Sequence, residues 1–386
     1  MQISERAQGV ALSITLALDA RAKELAAGGR DVINMAVGEP DFPAPAAARA
    51  AAVAKVESQD VRYTPAAGAP DLRTAIATHL TTTRGLAFEA TQTVVCHSGK
   101  HALSGALAAL GDPGCEVLIP TPGWVSYVEI AKVVGQVPVE IPGRADCGPD
   151  LDALEAAVTP RSRIVLINSP CNPSGYVWSR AELERLLDIA ERHGLWIVSD
   201  EIYRRLVYGE RDFVSPVSLG PRGARHTVIV DGASKTFAMT GYRIGFAAGP
   251  PEVAAAIGRL HSQLTGSPNA VSQAAYRAVL ENEPPEVEAM VERYRSRRDL
   301  LVGGLRDLGF ELPTPHGAFY AFPDVGARLD GANDSTGFCE RLLEEQGVVL
   351  VPGVAFGAPR HVRFSYAIDE GRIREALARL GRFLDV

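Results

Sequence analysis

The stretch RIVLINSPCNPSGYVWSRAELERLLDIAERHGLWIVSDEIY, residues 163–203, decides the fold. It opens on one apolar run, RIVLINSP (163–170), and closes on another, LWIVSDEIY (195–203). Neither alternates apolar with polar residues, so each reads as a strand buried on both faces, as in a parallel sheet covered by helices. Between them SRAELERLLDIAERHG (179–194) is an amphipathic helix, capped by Ser179 and stopped by Gly194.

Outward from this unit the pattern repeats. TVVCH (93–97) passes through a glycine turn into the helix SGKHALSGALAAL (98–110), and EVLIP (116–120) is a strand ended by Pro120 and Pro122. HTVIVDGASK (226–235) and GYRIGFAAG (241–249) are further near-continuous apolar runs, while Pro43 and Pro45 open the helix AAARAAAVAKV (46–56). Past Glu283 the character changes: a long charged helix (285–309) leads to GAFYAFPDV (317–325), VVLVPG (348–353), HVRFSYA (361–367) and a last helix. The chain therefore reads as α/β, a large domain (41–285) on a mainly parallel central sheet, with a smaller α+β domain from 1–40 and 286–386. The length of 386 residues fits about two domains at one per ~150.

A net charge of −7 and the lack of basic runs argue against nucleic acid and membrane surfaces as partners. Cys96, Cys115, Cys147, Cys171 and Cys339 are scattered, with neither a disulfide framework nor the paired spacing of a zinc site, so no metal is expected. The first 25 residues intersperse charges and read as mature protein, and no apolar run reaches the ~20 residues a membrane span needs. The expected setting is cytoplasmic.

Open α/β sheets bind ligands at the carboxyl ends of their strands. Lys235 stands directly after one strand, among small and apolar residues where desolvation lowers an amine's pKa and makes it nucleophilic. Arg243 follows with a planar fork suited to phosphate oxygens. Ser98 and Gly99 open a helix after a strand, an anion-binding arrangement, although an ordinary strand-to-helix turn has the same sequence. Asp200 and Glu201 end an apolar strand, where a carboxylate is either paired or does work. One such task is to keep a pyridine nitrogen protonated, with Tyr203 in reach of the same ring; capping the next element is the plainer alternative. Asn172, extended before Pro173, presents its amide, and Arg363 on a half-buried strand wants a carboxylate from protein or substrate.

The ordered motifs GEPDF (38–42), RYTPAAGAPDLR (62–73), SGKHAL (98–103), NSPCNPSG (168–175), SDEIY (199–203), DGASKTFAMTGYRIGFAAG (231–249) and HVRFSY (361–366) together resemble the aspartate aminotransferase family of fold-type-I pyridoxal-phosphate (PLP) enzymes, over nearly the whole chain. The resemblance implies the fold-type-I PLP transferase architecture and pyridoxal 5′-phosphate held as a Schiff base on Lys235, which then shuttles the substrate's Cα proton. It implies that Asp200 pairs with the pyridine nitrogen, that Tyr203 and Asn172 bind the ring hydroxyl oxygen, and that Trp124 stacks on the ring. Ser98, Gly99 and Arg243 form the phosphate cup, and Tyr63 reaches the neighbouring subunit's phosphate, so a homodimer with shared sites is expected. Arg363 clamps the substrate α-carboxylate beside Gly38, and Trp124 and Asn172 also face the substrate.

In the acidic-substrate members the lysine matched by Lys100 meets a distal carboxylate, assisted by N-terminal hydroxyls here represented by Ser13 and Thr15; the alternatives for Lys100 are that it tops the cofactor's phosphate site or points to solvent. Aspartate with 2-oxoglutarate is the implied pair of amino and 2-oxo acids. The alternatives are aromatic, alanine-like, kynurenine or prephenate transamination, or a C–S lyase of the same fold. A ligand-sensing regulator would carry an added DNA-binding domain, and Lys235 lies too near the start to leave room for one. Departures from the family pattern are Gly123, which is expected to open the pocket, Cys171, Tyr242 and the SGKHAL variant of the helix opening.

Overall fold

A computed structural model describes residues 3–11, 14–209, 211–329, 331 and 334–385, without the side chains of 15, 16 and 19. A seven-stranded sheet forms the centre: β1 (Thr93–Cys96), β2 (Glu116–Thr121), β3 (Val137–Pro142), β4 (Ser162–Asn168), β5 (Trp196–Asp200), β6 (Thr227–Gly232) and β7 (Gly245–Ala248), in spatial order β1-β7-β6-β5-β4-β2-β3. Only β7 runs antiparallel to the rest. Strands β4 to β7 are buried along nearly their whole length, as their unbroken apolar runs require. β3, VPVEIP, was not legible as a strand: it is a half-exposed edge, the one place in a sheet where Pro138 and Pro142 cost little.

Helices pack on the sheet where the periodicity places them. α1 (Gly99–Leu110) buries Ala102, Leu103, Ala106 and Leu107, and α2 (Arg180–His193) starts with a capping box between Ser179 and Glu182 and ends on Gly194 at φ 64°. α3 (Pro251–Leu264) lies against α1, and the long α4 (Pro285–Asp307) leads into the C-terminal segment.

There, Val362–Ser365 is the middle strand of an antiparallel trio with Val351–Pro352 and Tyr320–Ala321. The N-terminal segment joins it: Ile33–Asn34 pairs in parallel with Val348–Val349, and Met35 O accepts from Ser365 N at 2.8 Å. Arg363 is not half-buried as its strand pattern suggested. It is 2 % exposed, because Tyr320 and Phe356 cover the face it occupies. No described helix is long and apolar enough to cross a membrane.

Candidate active site

The carboxyl ends of β4, β5 and β6 face a cleft of about 340 Å³, closed from the opposite side by Gly38, Glu39, Tyr320 and Arg363. Parallel register sets Asn168 beside Asp200 and Asp200 beside Val230, so the residues that end neighbouring strands arrive together. Lys235 follows β6 in a short helical turn, and its Nζ donates to the carbonyl of Gly38. Burial, with Arg363 and Arg243 nearby, brings its ammonium down to about 8 against the opposing pull of Glu39 and Asp200.

Asp200 is 5 % exposed and, among the described residues, has no cation within 4.0 Å. Its Oδ2 accepts from the Tyr127 hydroxyl at 2.7 Å and its Oδ1 from the Ile202 amide at 3.1 Å, the capping role allowed by the sequence. Burial pushes its carboxyl up to about 6 despite these two bonds. The Tyr203 hydroxyl meets that of Tyr320 at 2.9 Å. Arg363 donates from Nη1 to Asn172 Oδ1 at 3.0 Å and from Nη2 to Ala36 O at 2.6 Å, while its Nε is buried without a partner. Asn172 is in turn held by its amide on Asn168 Oδ1 at 2.8 Å.

Ser98 caps α1, accepting from His101 N at 3.2 Å, and Gly99 begins the helix facing the cleft. The glycine demand lies elsewhere than at Gly99, where a side chain would meet nothing closer than Ile202 at 3.6 Å. A Cβ on Gly245 would lie 2.6 Å from the Gly99 amide, so it is the bareness of Gly245 that lets β7 support the helix start. Arg243 reaches the cleft from an exposed position, with Nη1 on Thr240 O at 2.7 Å.

Lys100 Nζ lies 4.9 Å from the Trp124 ring centroid and 3.2 Å from Ser126 Oγ, on the wall between the cleft and an adjoining cavity of about 510 Å³. Burial and Arg243 lower its pKa. Gly123 and Cys171 do not line the cleft. Gly123 borders the adjoining cavity, and both border a small void behind Tyr127, so the opening expected from Gly123 falls beside the site. Tyr63 is 98 % exposed and outside the cleft lining of its own chain. Ser13 and the side chain of Thr15 lie outside the described residues.

The sequence reading passed over Tyr127, Asn168, Glu39, Thr240 and Tyr320, all of which line the cleft. Tyr127 sat in the motif TPGWVSY three residues after Trp124, whose carbonyl accepts from the Tyr127 amide at 2.9 Å in the turn that enters the helix, and the two rings meet edge to face at 5.4 Å. Tyr320 had no local signal, since only the packing of the C-terminal trio brings it to Tyr203.

Six charged side chains line the cleft, the cations Lys100, Lys235, Arg243 and Arg363 against the carboxylates Glu39 and Asp200. Among the described residues none of the four cations has a carboxylate within 4.0 Å. A buried guanidinium left without an anion is costly, so the arrangement suits ligands that bring negative charge.

The family profile described as "Aminotransferase class I and II" matches residues 30–380. The aspartate aminotransferase of Geobacillus stearothermophilus is 40 % identical over all of this chain and 99 % of its own length. The aspartate/prephenate aminotransferase of Thermus thermophilus is 41 % identical over 99 % of this chain and 98 % of that one. A solved structure of the Thermus thermophilus aspartate aminotransferase with maleate superposes with a TM-score of 0.94, at 41 % identity and 99 % coverage of both chains. Similarity of that depth along the whole length, around a cleft rich in unpaired cations, places the protein: the chain belongs to the class I and II aminotransferases and is an aminotransferase enzyme.

Proposed function

We propose that this aminotransferase holds pyridoxal 5′-phosphate on Lys235 and exchanges amino groups between aspartate and 2-oxoglutarate, giving oxaloacetate and glutamate. One observation carries the reading: of the four cleft cations without carboxylate partners among the described residues, the two not given to the cofactor, Arg363 and Lys100, stand on different walls, as a substrate with two carboxylates requires. The names of the relatives support the same choice, and so does the dicarboxylate maleate seated in the Thermus thermophilus neighbour.

The residues present fit the cofactor. Ser98, Gly99 and Arg243 would take its phosphate, Asp200 its pyridine nitrogen, Tyr203 and Asn172 its ring oxygen, and Trp124 a ring face. Once bound, pyridoxal phosphate supplies an electron sink for the substrate's Cα–H bond. The chain does the rest. Arg363 grips the α-carboxylate, with the Asn172 amide fixing one arm of its fork. Lys235, with an amine near 8, is partly neutral at physiological pH and can both attack carbon and carry the Cα proton. Asp200, near 6, is ionised there and holds a proton on the ring nitrogen.

The exposure of Tyr63, in a stretch with Val53, Val56 and Val61 also exposed, supports a homodimer in which this face and this tyrosine serve the neighbouring site. The pairing of the N-terminal strand with the C-terminal one supports a small unit (1–40 with 286–386) that carries Arg363 and closes on a large one (41–285). All five cysteines are free thiols, in keeping with a cytoplasmic setting.

Lys100→Ala tests the substrate. It is expected to raise KM for aspartate at least ~10-fold more than KM for a neutral amino acid, because a charge-assisted bond is worth about 1.5–3 kcal/mol. Equal effects on both donors would sink the assignment. A second acceptor, prephenate, is favoured by the name of the Thermus thermophilus relative, and kcat/KM with prephenate against 2-oxoglutarate decides it.

A further inference from the structure

Beside the Ser98 cap, outside the lining of the cleft, four more side chains converge. Cys96 ends β1, His97 follows it, His101 lies in the first turn of α1 and His261 in the last turn of α3. Cys96 and His261 are 1 % and 2 % exposed. The Cys96 thiol and one ring nitrogen from each of His101 and His261 all lie within 4.8 Å of one another. The His101 and His261 ring centroids are 4.7 Å apart, and that of His97 is 5.5 Å from each.

The Cys96 thiol donates to Val94 O at 3.7 Å and His101 Nδ1 accepts from His97 N at 3.4 Å, while three ring nitrogens of the group are left over. Neither ring nitrogen of His261 has a hydrogen-bond partner, and Nε2 of His97 has none. A buried imidazole with both nitrogens unsatisfied pays for desolvation without return.

We propose that Cys96, His101 and His261, with His97 at the fourth position, form a binding site for a transition-metal ion of the zinc class. A thiolate with imidazoles selects such ions over magnesium or calcium. A tetrahedral ion with bonds of ~2.0–2.3 Å holds its donors about 3.5 Å apart, so side-chain rotations of roughly 1 Å bring Cys96, His101 and His261 onto it, and His97, outside that trio, has further to swing. As the sulfur–metal bond forms, the Cys96 thiol gives its proton to solvent, and the three imidazoles enter neutral without proton loss. The ion ties the β1–α1 turn to α3. Ser98 and Gly99 lie inside that turn, so the metal would fasten the helix start that faces the cleft.

The test uses untagged full-length protein, treated with chelator and titrated with Co²⁺ alone. One equivalent is expected to bind with the visible bands of tetrahedral cobalt and a near-ultraviolet thiolate-to-cobalt band, and Zn²⁺ should displace it with loss of colour. Cys96→Ser should remove the thiolate band. His261→Asn should weaken binding roughly 100-fold or more, beyond what losing a mere hydrogen-bond partner of a ligand costs. His101→Gln, at a half-buried position, repeats the measurement without a core substitution, and circular dichroism checks that each variant is folded. Absence of a stoichiometric cobalt spectrum on folded protein would overturn the site, as would a spectrum unchanged in these variants. Neither outcome bears on the cofactor or on Lys100.

Discussion

Asp200 and Glu201 are neighbours in sequence and both buried, and their surroundings are opposite. Glu201 is fully matched: Arg84 donates to its Oε2 from Nε at 3.0 Å and Nη2 at 2.5 Å, and Ser199 and Ser215 donate to its Oε1. Beside it Arg204 donates to Asp231 at 2.6 Å, a second closed pair. Asp200, one residue earlier on the strand, faces the cleft with a tyrosine and an amide and no cation. Because side chains alternate along a strand and its exit, consecutive carboxylates are sent to opposite environments. One region of buried charge holds the fold together. The other is left without charged partners among the described residues.

That contrast can be broken by substitution. The largest effect is expected for Lys235→Ala, which should lower turnover by about 10⁴-fold or more, measured by coupled assay with aspartate, while the protein remains folded. Next comes Glu201→Gln. It strands the Arg84 guanidinium and should cost about 3–5 kcal/mol in urea unfolding, with KM for both substrates unmoved. If Glu201→Gln proved as stable as the parent, the division between matched and unmatched charge would fail.

Asp200→Asn should behave in the reverse sense on cofactor-free protein. Asp200 binds its proton more tightly folded than unfolded, so its contribution to stability is present below pH 3.8 and lost as pH rises through about 6. The variant lacks that loss. It should match the parent near pH 4 and exceed it by up to about 3 kcal/mol at pH 7, a difference read from unfolding curves at the two pH values. A variant less stable at pH 7 would show that the carboxylate is paired after all. The smallest effect is expected at Arg363→Lys, which keeps the charge but not the fork. KM should rise roughly 10–100-fold for every amino donor alike, with kcat less affected. A loss confined to dicarboxylic donors would move the α-carboxylate clamp elsewhere.

The glycine pattern shows how reading and structure diverge at the level of single residues. SGKHAL was legible as a strand-to-helix turn, and Ser98 does cap α1. The position that cannot tolerate a side chain is Gly245, 147 residues after Ser98 by sequence number, on a strand that packs against that turn. Tyr127 was within reach of the reading because it lies three residues from Trp124 in the same motif, whereas Tyr320 and Glu39 come from segments whose only link to Asp200 is tertiary. The cysteine–histidine group has the same origin. CHSGKH supplies Cys96, His97 and His101, and His261 joins only because α3 lies on α1.

By itself the sequence determined the strand–helix alternation, the parallel sheet and the residues at strand ends that can do chemistry. Those features follow from local periodicity and from the polar groups that interrupt it, and both are written in order along the chain. Tertiary structure decided which of those charges meet a partner. It paired Glu201 with Arg84 and Asp231 with Arg204, left Lys235, Arg363 and Asp200 without a charged partner among the described residues, and turned Gly123 and Cys171 away from the cleft. The reason is that desolvation and pairing depend on what packs around a group from every side, and a strand's own neighbours supply only part of that shell.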